Sequence, residues 1–558
     1  MKKSNDYLYQ FEYVIENIWR LIHLQDNNPF SDTFGCMDYK FWRDKSIDFA
    51  DARYQEASAT VGLLCSKNFD SLRKDKSIPS LDRTYEIFSA GLNYWSKIQN
   101  NDGSFDEWYK GERGFAATEF SLIAFGLAYC FLKKRLKKKD EKVLRLTLLR
   151  AAHWLSKRDD FVKSNHQAAA VAALALAYKN FGDKVFYLAS KKKLRSLLKR
   201  QTKEGWFPEV GGMDLGYSFL LLDYVMLSFL FINPEKKSLF SMKKLLQFLL
   251  PHLHPDGTVS PEYGICCNDY VSRIGISLLS QHDLHAKGLV NFFQSSSPKQ
   301  KGISPILADD LRLARWSYLP ILPFLFQKSF KSTFSIKRTE KSKPLKNYGR
   351  FWSINKECSV ASYHSENLHI FCSIAGGGVI RIFKESELIF EDFGITVQTA
   401  DQDLNSRAYD RNRKIFHDNQ NLSFEGFLSK PSHFSPTFLQ RTLLRIISFS
   451  SLGSRLARKF IDLIRMKKGT SLNQNSAPLA DYNRDFPFKR SISVVNQFVE
   501  INDEILHDKS ISDIHNVKTY FNTPFIMETK KEKGRAGKLI INRKINVQTK
   551  KALIEINK

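Results

Sequence analysis

The spacing of apolar residues changes part of the way along this chain, and that change restricts the folds it can adopt. From about residue 55 to 330, apolar residues recur every three or four positions, for example in 122–132 and 217–231, as in helices with a buried face. After about residue 335, short alternating runs are separated by Gly, Asn and Asp, as in 358–395. Such runs are typical of antiparallel strands, so the sequence predicts a helical half followed by a β half.

Three similar turns separate the predicted helices. They read NDGSF, KEGWF and HPDGTVS, and each places a glycine after an acidic residue, at positions 103, 205 and 257, as tight turns require. The glycines are 102 and 52 residues apart, close to two repeats and one repeat of about 51 residues, a length that suits a pair of helices. The repeat predicts an (α/α) toroid of helical hairpins, with the three turns on one rim.

The two periods together predict an α+β multidomain protein. We expect an N-terminal (α/α) toroid over residues 1–330, a linker rich in Lys and Ser over 331–346, and a C-terminal antiparallel β-sandwich over 347–558. The length of 558 residues supports this division, because it exceeds the size of one ordinary domain. No membrane span is expected, because we find no run of about 18 apolar residues.

One segment of the β half, residues 438–468, has a helical period instead. Its predicted apolar face consists of Leu452, Leu456, Phe460, Leu463 and Ile464. Its positive charge comes from Arg455, Arg458, Lys459, Arg465, Lys467 and Lys468. A basic amphipathic helix can lie in the interface of an anionic membrane. The alternative is a surface helix that packs on the sandwich.

The formal net charge of +27 restricts the partners. A field of this sign attracts polyanions such as nucleic acid, anionic lipids and acidic polysaccharides. No nucleic-acid-binding module is recognisable, so nucleic acid is not expected as a partner. The seven cysteines are scattered, and the first residues lack the apolar core of a signal peptide. We therefore expect a cytoplasmic protein, peripheral at the inner face of the membrane if 438–468 binds lipid.

The stretch SNHQAAAVAALALAY (164–178) begins polar and continues as an apolar helix. Asn165 and His166 lie at the point of change. Asn is common as a helix N-cap, and a histidine here can simply be buried. The other interpretation is an anion-binding site, because a helix N-terminus carries partial positive charge. These two residues alone are compatible with both interpretations.

The Asn-His pair and three further segments resemble a known family. The segments are EGWFPEVGGMDLGYSFLLLDY (204–224), HPDGTVSPEYGICCNDY (254–270) and SDTFGCMDYKFWRDKSIDFADARYQEA (31–57). Together with the helical and β halves, they are similar to the heparinase II/III-like polysaccharide lyases, and most to a branch associated with polysaccharide biosynthesis clusters. The resemblance implies a toroid-plus-sandwich fold and an acidic polysaccharide or oligosaccharide as the partner.

The resemblance also implies β-elimination at a uronate. In this reaction the C5 proton beside the carboxylate is removed and the O4 substituent leaves. Hydrogen-bond donors that neutralise the carboxylate stabilise the enolate-like intermediate. By resemblance, Asn165 and His166 neutralise the carboxylate, and Tyr217 is the catalytic tyrosine that acts as base and acid. No cofactor is implied, and a metal ion in the β half is left open.

Further rim residues are expected to bind the substrate. Glu209 would bind sugar hydroxyls or orient His166, and Arg273 would bind a carboxylate in bidentate fashion. The other candidates on the first and third turns are Tyr263, Asn268, Trp108, Tyr109 and Arg113.

The sequence departs from the family pattern at two points. Lyases of this type often read Asn-Asn-His-Gly where this chain reads Ser-Asn-His-Gln (164–167), so the doubled amide is missing. The catalytic residue of the β half is not identified, and His364, His369 and His417 are its candidates. We expect a uronate lyase-like enzyme. A uronyl C5-epimerase of polysaccharide biosynthesis and a non-catalytic glycan-binding protein are the alternatives.

Overall fold

The computed structural model describes most of the chain. The described residues are 6–74, 76–266, 268–271, 273–295, 309–330, 351–398, 403–430, 437–450, 452–453, 456–457, 459–460, 481–506, 516–521 and 538–557. The predicted linker, 331–346, lies outside them. So do Arg455, Arg458 and residues 461–468 of the predicted insertion, which include Leu463, Ile464, Arg465, Lys467 and Lys468.

The first half of the chain is helical, as predicted. Its helices are α1 (Asp6–Glu16), α2 (Ile18–Ile22), α3 (Tyr39–Trp42), α4 (Glu56–Leu63), α5 (Asp70–Lys74), α6 (Leu81–Lys97), α7 (Phe115–Leu132), α8 (Lys138–Ser156), α9 (Ser164–Phe181), α10 (Lys184–Leu198), α11 (Leu215–Ser228), α12 (Lys236–Leu249), α13 (Ile274–Leu279), α14 (Leu284–Ser295), α15 (Asp310–Trp316) and α16 (Leu322–Leu325).

These helices form two layers that differ in burial. α4, α7, α9, α11 and α13 are buried on nearly every side, because their residues are apolar or small all round. α6, α8, α10 and α12 bury one face only, as amphipathic helices do. Successive buried helices pack against each other, and α15 packs back on α4. The buried helices thus form an inner ring and the amphipathic ones an outer ring, which confirms the predicted (α/α) toroid.

The three repeated turns have the same hydrogen bonds. In each, one backbone N–H donates to the carbonyl four residues later, and the glycine N–H donates back to the carbonyl of that first residue. The donor–acceptor pairs are Asn100–Ser104 and Gly103–Asn100, Thr202–Trp206 and Gly205–Thr202, and His254–Thr258 and Gly257–His254. The glycines have φ of 96°, 108° and 84°, a left-handed conformation that disfavours side chains. The predicted repeat is confirmed. Each turn leads from an outer helix into an inner one, so all three lie on one edge of the toroid, which we name the rim.

The inner helix α7 is long and apolar enough to span a membrane, and it is the one such helix in the described part of the chain. The expectation that no such run exists was therefore wrong. Inside the toroid, 89% of this span is buried. Its composition is explained by its place in the inner ring, where neighbouring helices cover every side.

The β half is an antiparallel sheet, as predicted. Its strands are β1 (Phe351–Asn355), β2 (Val360–His364), β3 (Leu368–Ser373), β4 (Val379–Lys384), β5 (Glu387–Gln398), β6 (Asp403–Asn405), β7 (Lys414–His417), β8 (Asn421–Lys430), β9 (Asp481–Val495), β10 (Phe498–Leu506), β11 (Asn516–Phe521), β12 (Lys538–Asn546) and β13 (Lys551–Asn557). They pair in the order β1-β2-β3-β4-β5-β6-β8-β9-β10-β12-β13, with β11 added to β5 and β7 to β8.

The sheet folds over on itself. Trp352 of β1 belongs to the same hydrophobic core as Ile545 of β12. The Nε1 of Trp352 also donates to the Gln420 carbonyl, between β7 and β8, at 3.2 Å. Early and late strands therefore enclose one core, as the two layers of a sandwich do.

Two arginines and two aspartates form a buried cluster within this sheet. Arg490 makes two hydrogen bonds to Asp503, at 2.6 and 2.7 Å, and contacts Asp392 at 3.2 Å. Arg543 contacts Asp503 at 2.6 Å and Asp392 at 3.2 Å. All four side chains are fully buried. We name these four residues the sheet ion cluster.

A seventeenth helix, α17 (Phe438–Ser448), lies in the predicted insertion, between β8 and β9. Thr437 caps it and exchanges hydrogen bonds with Gln440 in a capping box. The helix begins at the first residue of the predicted range, 438–468, and ends at Ser448.

Candidate functional site

The inner helices begin at the rim. α7, α9, α11 and α13 each follow an outer helix or a rim turn, so their N-termini point to the same edge of the toroid. Each N-terminus carries partial positive charge and N–H groups without a helical partner. Together they favour an anion at the rim. Asn165 and His166 in α9 and Tyr217 in α11 lie in the first turns of two of these helices.

Asn165 is held by a buried carboxyl group. Its backbone N–H and its Nδ2 donate to the two oxygens of Glu209, at 2.7 and 2.8 Å. Burial raises the pKa of Glu209 well above its ordinary value, while the bonds from Asn165 act in the opposite direction. The Oδ1 of Asn165 is buried and has no hydrogen-bond partner among the described residues. Glu209 thus orients the amide of Asn165.

His166 is oriented by a different carboxylate. Its Nδ1 lies 3.1 Å from Asp160 Oδ2 and 3.9 Å from Glu119 Oε1. Burial lowers the pKa of His166 to about 4; Lys163 contributes to this lowering and Asp160 acts against it. The imidazole is therefore neutral at pH 7. When its proton sits on Nδ1 and is donated to Asp160, Nε2 carries the lone pair.

Asp160 was not predicted from the sequence as a partner of His166. This residue lies in the loop before α9, and its Oδ1 accepts from the N–H groups of Val162 and Lys163, both at 2.9 Å. An aspartate that binds backbone N–H groups two and three residues later is ordinary turn chemistry. The only signal was an Asp shortly before a helix, which does not distinguish a turn from a partner of His166.

Tyr217 adjoins the capping residue of α11. Asp214 accepts from the Tyr217 N–H at 2.9 Å and from the N–H groups of Cys266 and Asn268 at 3.1 and 3.4 Å. Burial raises the pKa of Asp214 to about 7. Burial also raises the pKa of Tyr217, as do Cys266, Asp214 and Glu209, whereas a hydrogen bond with Asn268 acts in the opposite direction. The phenol is therefore protonated at neutral pH.

Asn165, His166, Glu209, Asp214 and Tyr217 form one group, which we name the rim site. Glu209 connects the residues of α9 with Tyr217 of α11. It accepts a hydrogen bond from Asn165, and its charge raises the pKa of Tyr217. α9 and α11 are also neighbours in the inner ring. The structure thus links Asn165 and Tyr217, two of the residues that the resemblance implies to be catalytic, through Glu209, and His166 follows Asn165 directly in α9.

The first turn presents aromatic rings at the rim. The Trp108 side chain is 69% exposed, its N–H donates to Glu112 at 2.8 Å, and Tyr109 is half-buried. Arg113 faces Asp102, with its Nε 3.7 Å from Oδ2. The Trp108 ring is thus accessible to a ligand, while Arg113 is engaged within its own turn. Sugar binding by Trp108, Tyr109 and Arg113 stays a prediction.

Two predicted binding residues make their contacts elsewhere. The guanidinium carbon of Arg273 lies 3.4 Å from the centre of the Phe293 ring in α14. Tyr263 is fully buried, and its hydroxyl lies 3.0 Å from Nε2 of His254. Substrate binding by Arg273 and Tyr263 stays a prediction.

The candidate histidines of the β half lie in two places. His364 and His369 are buried, with their Nδ1 atoms 3.1 Å apart, and burial lowers the pKa of His364 to about 3. His417 is exposed on β7. A catalytic role for any of the three stays a prediction. Among the residues that the structure describes, no group of three or more His, Cys, Asp and Glu side chains is placed to hold a metal ion.

The sheet lies beside the second and third turns. Arg381 of β4 pairs with Glu262, with Nη1 3.1 Å from Oε2, and the Ser373 hydroxyl donates to the Glu262 carbonyl at 2.9 Å. The Tyr409 hydroxyl accepts from the Met213 N–H at 3.3 Å. These contacts place the β half next to the rim site.

One cation near the rim site was not anticipated. Arg200 follows α10, and the charges of Asp160 and Glu209 act on it. Its Nη1 and Nη2 are buried and have no hydrogen-bond partner within the described ranges. A guanidinium binds carboxylates well, so Arg200 is a further candidate for binding an acidic sugar. An arginine after a Lys-rich helix offered no sequence signal for this.

Comparisons with known proteins find similarity at the level of structure. No family model matches the chain, and no curated protein matches it. Among solved structures, it is similar to a heparinase III (9% identity over 98% of this chain and 80% of that one, TM-score 0.45). Chondroitinase AC lyase is also similar (9% identity over 97% of this chain and 73% of that one, TM-score 0.46).

A mutant of a heparan sulfate lyase from Pedobacter heparinus matches with 10% identity and a TM-score of 0.37. The match covers 76% of this chain and 59% of the lyase, so the chain spans less than two thirds of that protein. Identities of 9–10% concern the fold alone.

Proposed function

We propose that this protein is a polysaccharide lyase-like enzyme that acts on an acidic, uronate-containing glycan by β-elimination. One observation carries the proposal. The rim site combines an amide donor in Asn165, a neutral imidazole in His166 and a protonated phenol in Tyr217, on adjacent inner helices. β-Elimination at a uronate needs these three functions: neutralisation of the carboxylate, a base and an acid.

The substrate carboxylate is proposed to bind at Asn165. The Nδ2 group has two hydrogens and donates one to Glu209, so the second can reach a carboxylate oxygen. The inner-helix N-termini and the Arg200 guanidinium supply positive charge nearby. Neutralising the carboxylate lowers the free energy of the enolate-like intermediate that forms when C5 loses its proton.

Proton transfer is assigned to His166 and Tyr217. The neutral imidazole takes the C5 proton on Nε2 while its Nδ1 stays bound to Asp160. The Tyr217 phenol gives its proton to O4 as the C4–O4 bond breaks and the C4–C5 double bond forms. The imidazolium then returns a proton to the phenolate through solvent. Because its raised pKa keeps Tyr217 protonated at neutral pH, we assign it the acid role and not the double role of base and acid that the resemblance implies.

The overall charge supports an acidic partner. A net charge of +27 raises the local concentration of a polyanionic glycan around the protein. A place in polysaccharide biosynthesis is part of the proposal, and it rests on the sequence resemblance.

One observation also fits a uronyl C5-epimerase. Such an enzyme removes the same proton and returns one to the opposite face of the sugar, which requires two proton carriers. His166 and Tyr217 lie on different inner helices and meet that requirement. The two reactions differ in outcome, because only the lyase breaks the C4–O4 bond.

The test is an ultraviolet absorbance assay with a panel of uronate-containing polysaccharides in deuterated buffer, followed by NMR of the products. We expect absorbance to rise as a conjugated, unsaturated uronate forms. Deuterium at C5 without that rise would identify an epimerase. Glycan binding without either signal would favour the non-catalytic alternative.

The variant Tyr217→Phe tests the assignment of the acid. We expect turnover to fall by about 10²–10⁴-fold, the usual contribution of a positioned acid or base, with little change in glycan binding. Tyr187→Phe is the matched control, because Tyr187 is half-buried on the outer helix α10 and should be dispensable. Wild-type turnover in Tyr217→Phe would contradict the assignment.

A further inference from the structure

We propose that Lys163 is a further substrate-binding residue of the rim site, and that it pairs with the ionised carboxylate of the uronate. The inference rests on the proposed function and adds that the substrate is the free acid and not an ester. Lys163 is the N-cap residue of α9 and has an extended backbone, directly before Ser164, Asn165 and His166. Its side chain is half-buried, so part of it is accessible to a ligand.

The backbone directs the Lys163 side chain to the rim site. Lys163 and Glu209 are paired in an isolated antiparallel β-bridge, beside which the Val210 N–H donates to the Val162 carbonyl at 3.0 Å. Side chains of directly opposite residues in such a pair lie on the same face. The carboxyl group of Glu209 is bonded to Asn165 within the rim site. The Lys163 side chain therefore lies on the rim-site face as well.

The charge of Lys163 acts on several groups around the rim site. Burial is the largest cause of the lowered pKa of His166, and the Lys163 charge lowers this pKa further. Burial raises the pKa of Glu209, and the Lys163 charge opposes this effect. For Glu107 in the first turn, burial also acts to raise the pKa, and it is opposed chiefly by Arg315 and in part by Lys163. The ammonium is thus within electrostatic reach of the first turn, the start of α9 and Glu209.

Lys163 can bind a ligand because its ammonium forms no ion pair with any residue that the structure describes. The acidic groups around it are already bonded to other residues. Both oxygens of Glu209 accept from Asn165, and Oε1 of Glu107 lies 2.9 Å from Nη2 of Arg315. An ammonium has three donors and no acceptor. A carboxylate that enters the rim site therefore finds a cation without an ionic partner.

Lys163 and Asn165 together can bind one carboxylate, with Asn165 donating to one oxygen and Lys163 to the other. Ser164, which lies between them, does not contribute, because its hydroxyl is buried and donates to the Pro208 carbonyl at 2.7 Å. Hydrogen bonds between ionised groups are roughly twice as strong as neutral ones. A methyl ester has no negative charge, so we expect Lys163 to favour the free acid over the ester.

The experiment measures kcat/KM on the polymer that the absorbance assay identifies and on its methyl ester. Lys163→Met should lower kcat/KM on the free acid by ~10-fold or more, as expected for the loss of a hydrogen bond to a charged group, and should change it little on the ester. The intrinsic reactivity of the two polymers cancels in this comparison. Lys163→Arg keeps the charge and should retain most of the preference for the acid.

Lys157→Met is the matched control. Lys157 is exposed at the end of α8, so the variant removes the same charge from the protein a few residues before Lys163. It should show the wild-type preference for the acid. Thermal unfolding is measured for all variants and should be unchanged. Equal losses of kcat/KM on acid and ester in Lys163→Met would overturn the proposal.

Two further measurements do not depend on turnover. In an NMR titration, Lys163→Met should raise the pKa of the His166 imidazole, whereas Lys157→Met should not; an unchanged pKa in Lys163→Met would show that the ammonium does not face the rim site. If the wild type turns over no polymer, the proposed function fails. Calorimetry with polyglucuronate and its methyl ester then decides about Lys163, and a wild type without preference for the free acid would overturn its assignment.

Discussion

The sheet ion cluster and the rim site are both buried and polar, but their charges are balanced differently. In the sheet, two guanidiniums meet two carboxylates at 2.6–3.2 Å. Burial acts to raise the pKa of Asp503, but Arg490 and Arg543 hold this pKa below its ordinary value. Opposite charges in the sheet ion cluster therefore compensate each other within the fold.

The rim site holds groups whose charges are not compensated. The pKa values of Glu209 and Asp214 are raised, and that of His166 is lowered to about 4, in each case chiefly by burial. The Oδ1 of Asn165 has no hydrogen-bond partner in the described part of the chain. Burying such groups costs free energy that the local contacts do not fully recover.

This difference separates a structural role from a functional one. In a buried cluster with equal numbers of opposite charges, each charged group is paired inside the fold, so removing one of them lowers stability. An unbalanced one keeps shifted pKa values and unused hydrogen-bonding capacity, which is typical of sites that bind and react. We expect substitutions in the sheet ion cluster to act on folding and substitutions in the rim site to act on turnover.

The largest effect is expected for Arg490→Met in the sheet ion cluster. The variant leaves Asp392 and Asp503 buried with Arg543 as the remaining cation of the cluster. Removing one partner of a buried ion pair typically costs about 3–5 kcal/mol, so urea unfolding should show a loss of stability of this size. Turnover per folded molecule should stay at the wild-type level.

Lys544→Met is the control for Arg490→Met. Lys544 pairs with Glu500 across β10 and β12 at 2.8 Å, but this pair is largely exposed. An exposed pair contributes about 0–1 kcal/mol, so stability should change little. Equal losses in the two variants would show that the sheet ion cluster is no more important than a surface pair.

The next effect is expected for Asn165→Asp in the rim site. The substitution keeps the side-chain shape but replaces the Nδ2 donor by an oxygen that repels Glu209 and the substrate carboxylate. Loss of one such donor typically lowers kcat by about 10²–10³, or about 2.7–4 kcal/mol. The measurement is kcat/KM on the polysaccharide that the absorbance assay identifies, with thermal unfolding alongside.

Asn180→Asp provides the opposite pattern on the same helix. Asn180 lies at the other end of α9, where its Nδ2 donates to the Gly126 carbonyl at 2.9 Å. Its substitution should cost about 1 kcal/mol of stability and leave turnover unchanged. If Asn180→Asp lowered turnover as much as Asn165→Asp, the assignment of Asn165 to the carboxylate would be wrong.

Features that depend on local pattern were predictable from the sequence. The acidic-glycine turns predicted the rim, because only a few residue types suit a turn with positive φ. The polar start of an Ala-rich helix identified Asn165 and His166, which adjoin in sequence and therefore in space. The alternating runs predicted antiparallel strands, because side chains in a strand alternate between two faces.

Partners that are distant in sequence were not predictable. Arg490 contacts Asp392 across 98 positions, and Glu209 bonds Asn165 across 44. No local pattern marks a carboxylate as the partner of one particular side chain. For this reason the sheet ion cluster was not predicted. Glu209 was predicted to bind sugar hydroxyls or to orient His166, and the structure shows it bonded to Asn165.

The last effect, which is spread over a range of pH, is the contribution of His166 to stability. Its pKa is about 4 in the folded protein, against an ordinary value of 6.5. Between these values the unfolded chain binds a proton that the folded protein does not. Stability therefore falls as pH decreases from 6.5 to 4, by about 1.4 kcal/mol per pH unit for one group. His166→Gln should remove this contribution, which urea unfolding across this pH range measures.

Asp214 contributes to the same measurement with the opposite sign. Its pKa is raised from 3.8 to about 7, so the folded protein binds its proton more tightly, and that stabilisation is lost as pH rises through this interval. Other buried groups also contribute to the wild-type slope, among them Asp51, Glu56 and His252, whose pKa values are shifted as well. Comparison with His166→Gln isolates the imidazole. His153→Gln, on the exposed face of α8, should keep the wild-type slope. Superimposable slopes for wild type and His166→Gln would mean that His166 binds its proton equally well in both states. This would contradict the lowered pKa of His166 in the folded protein.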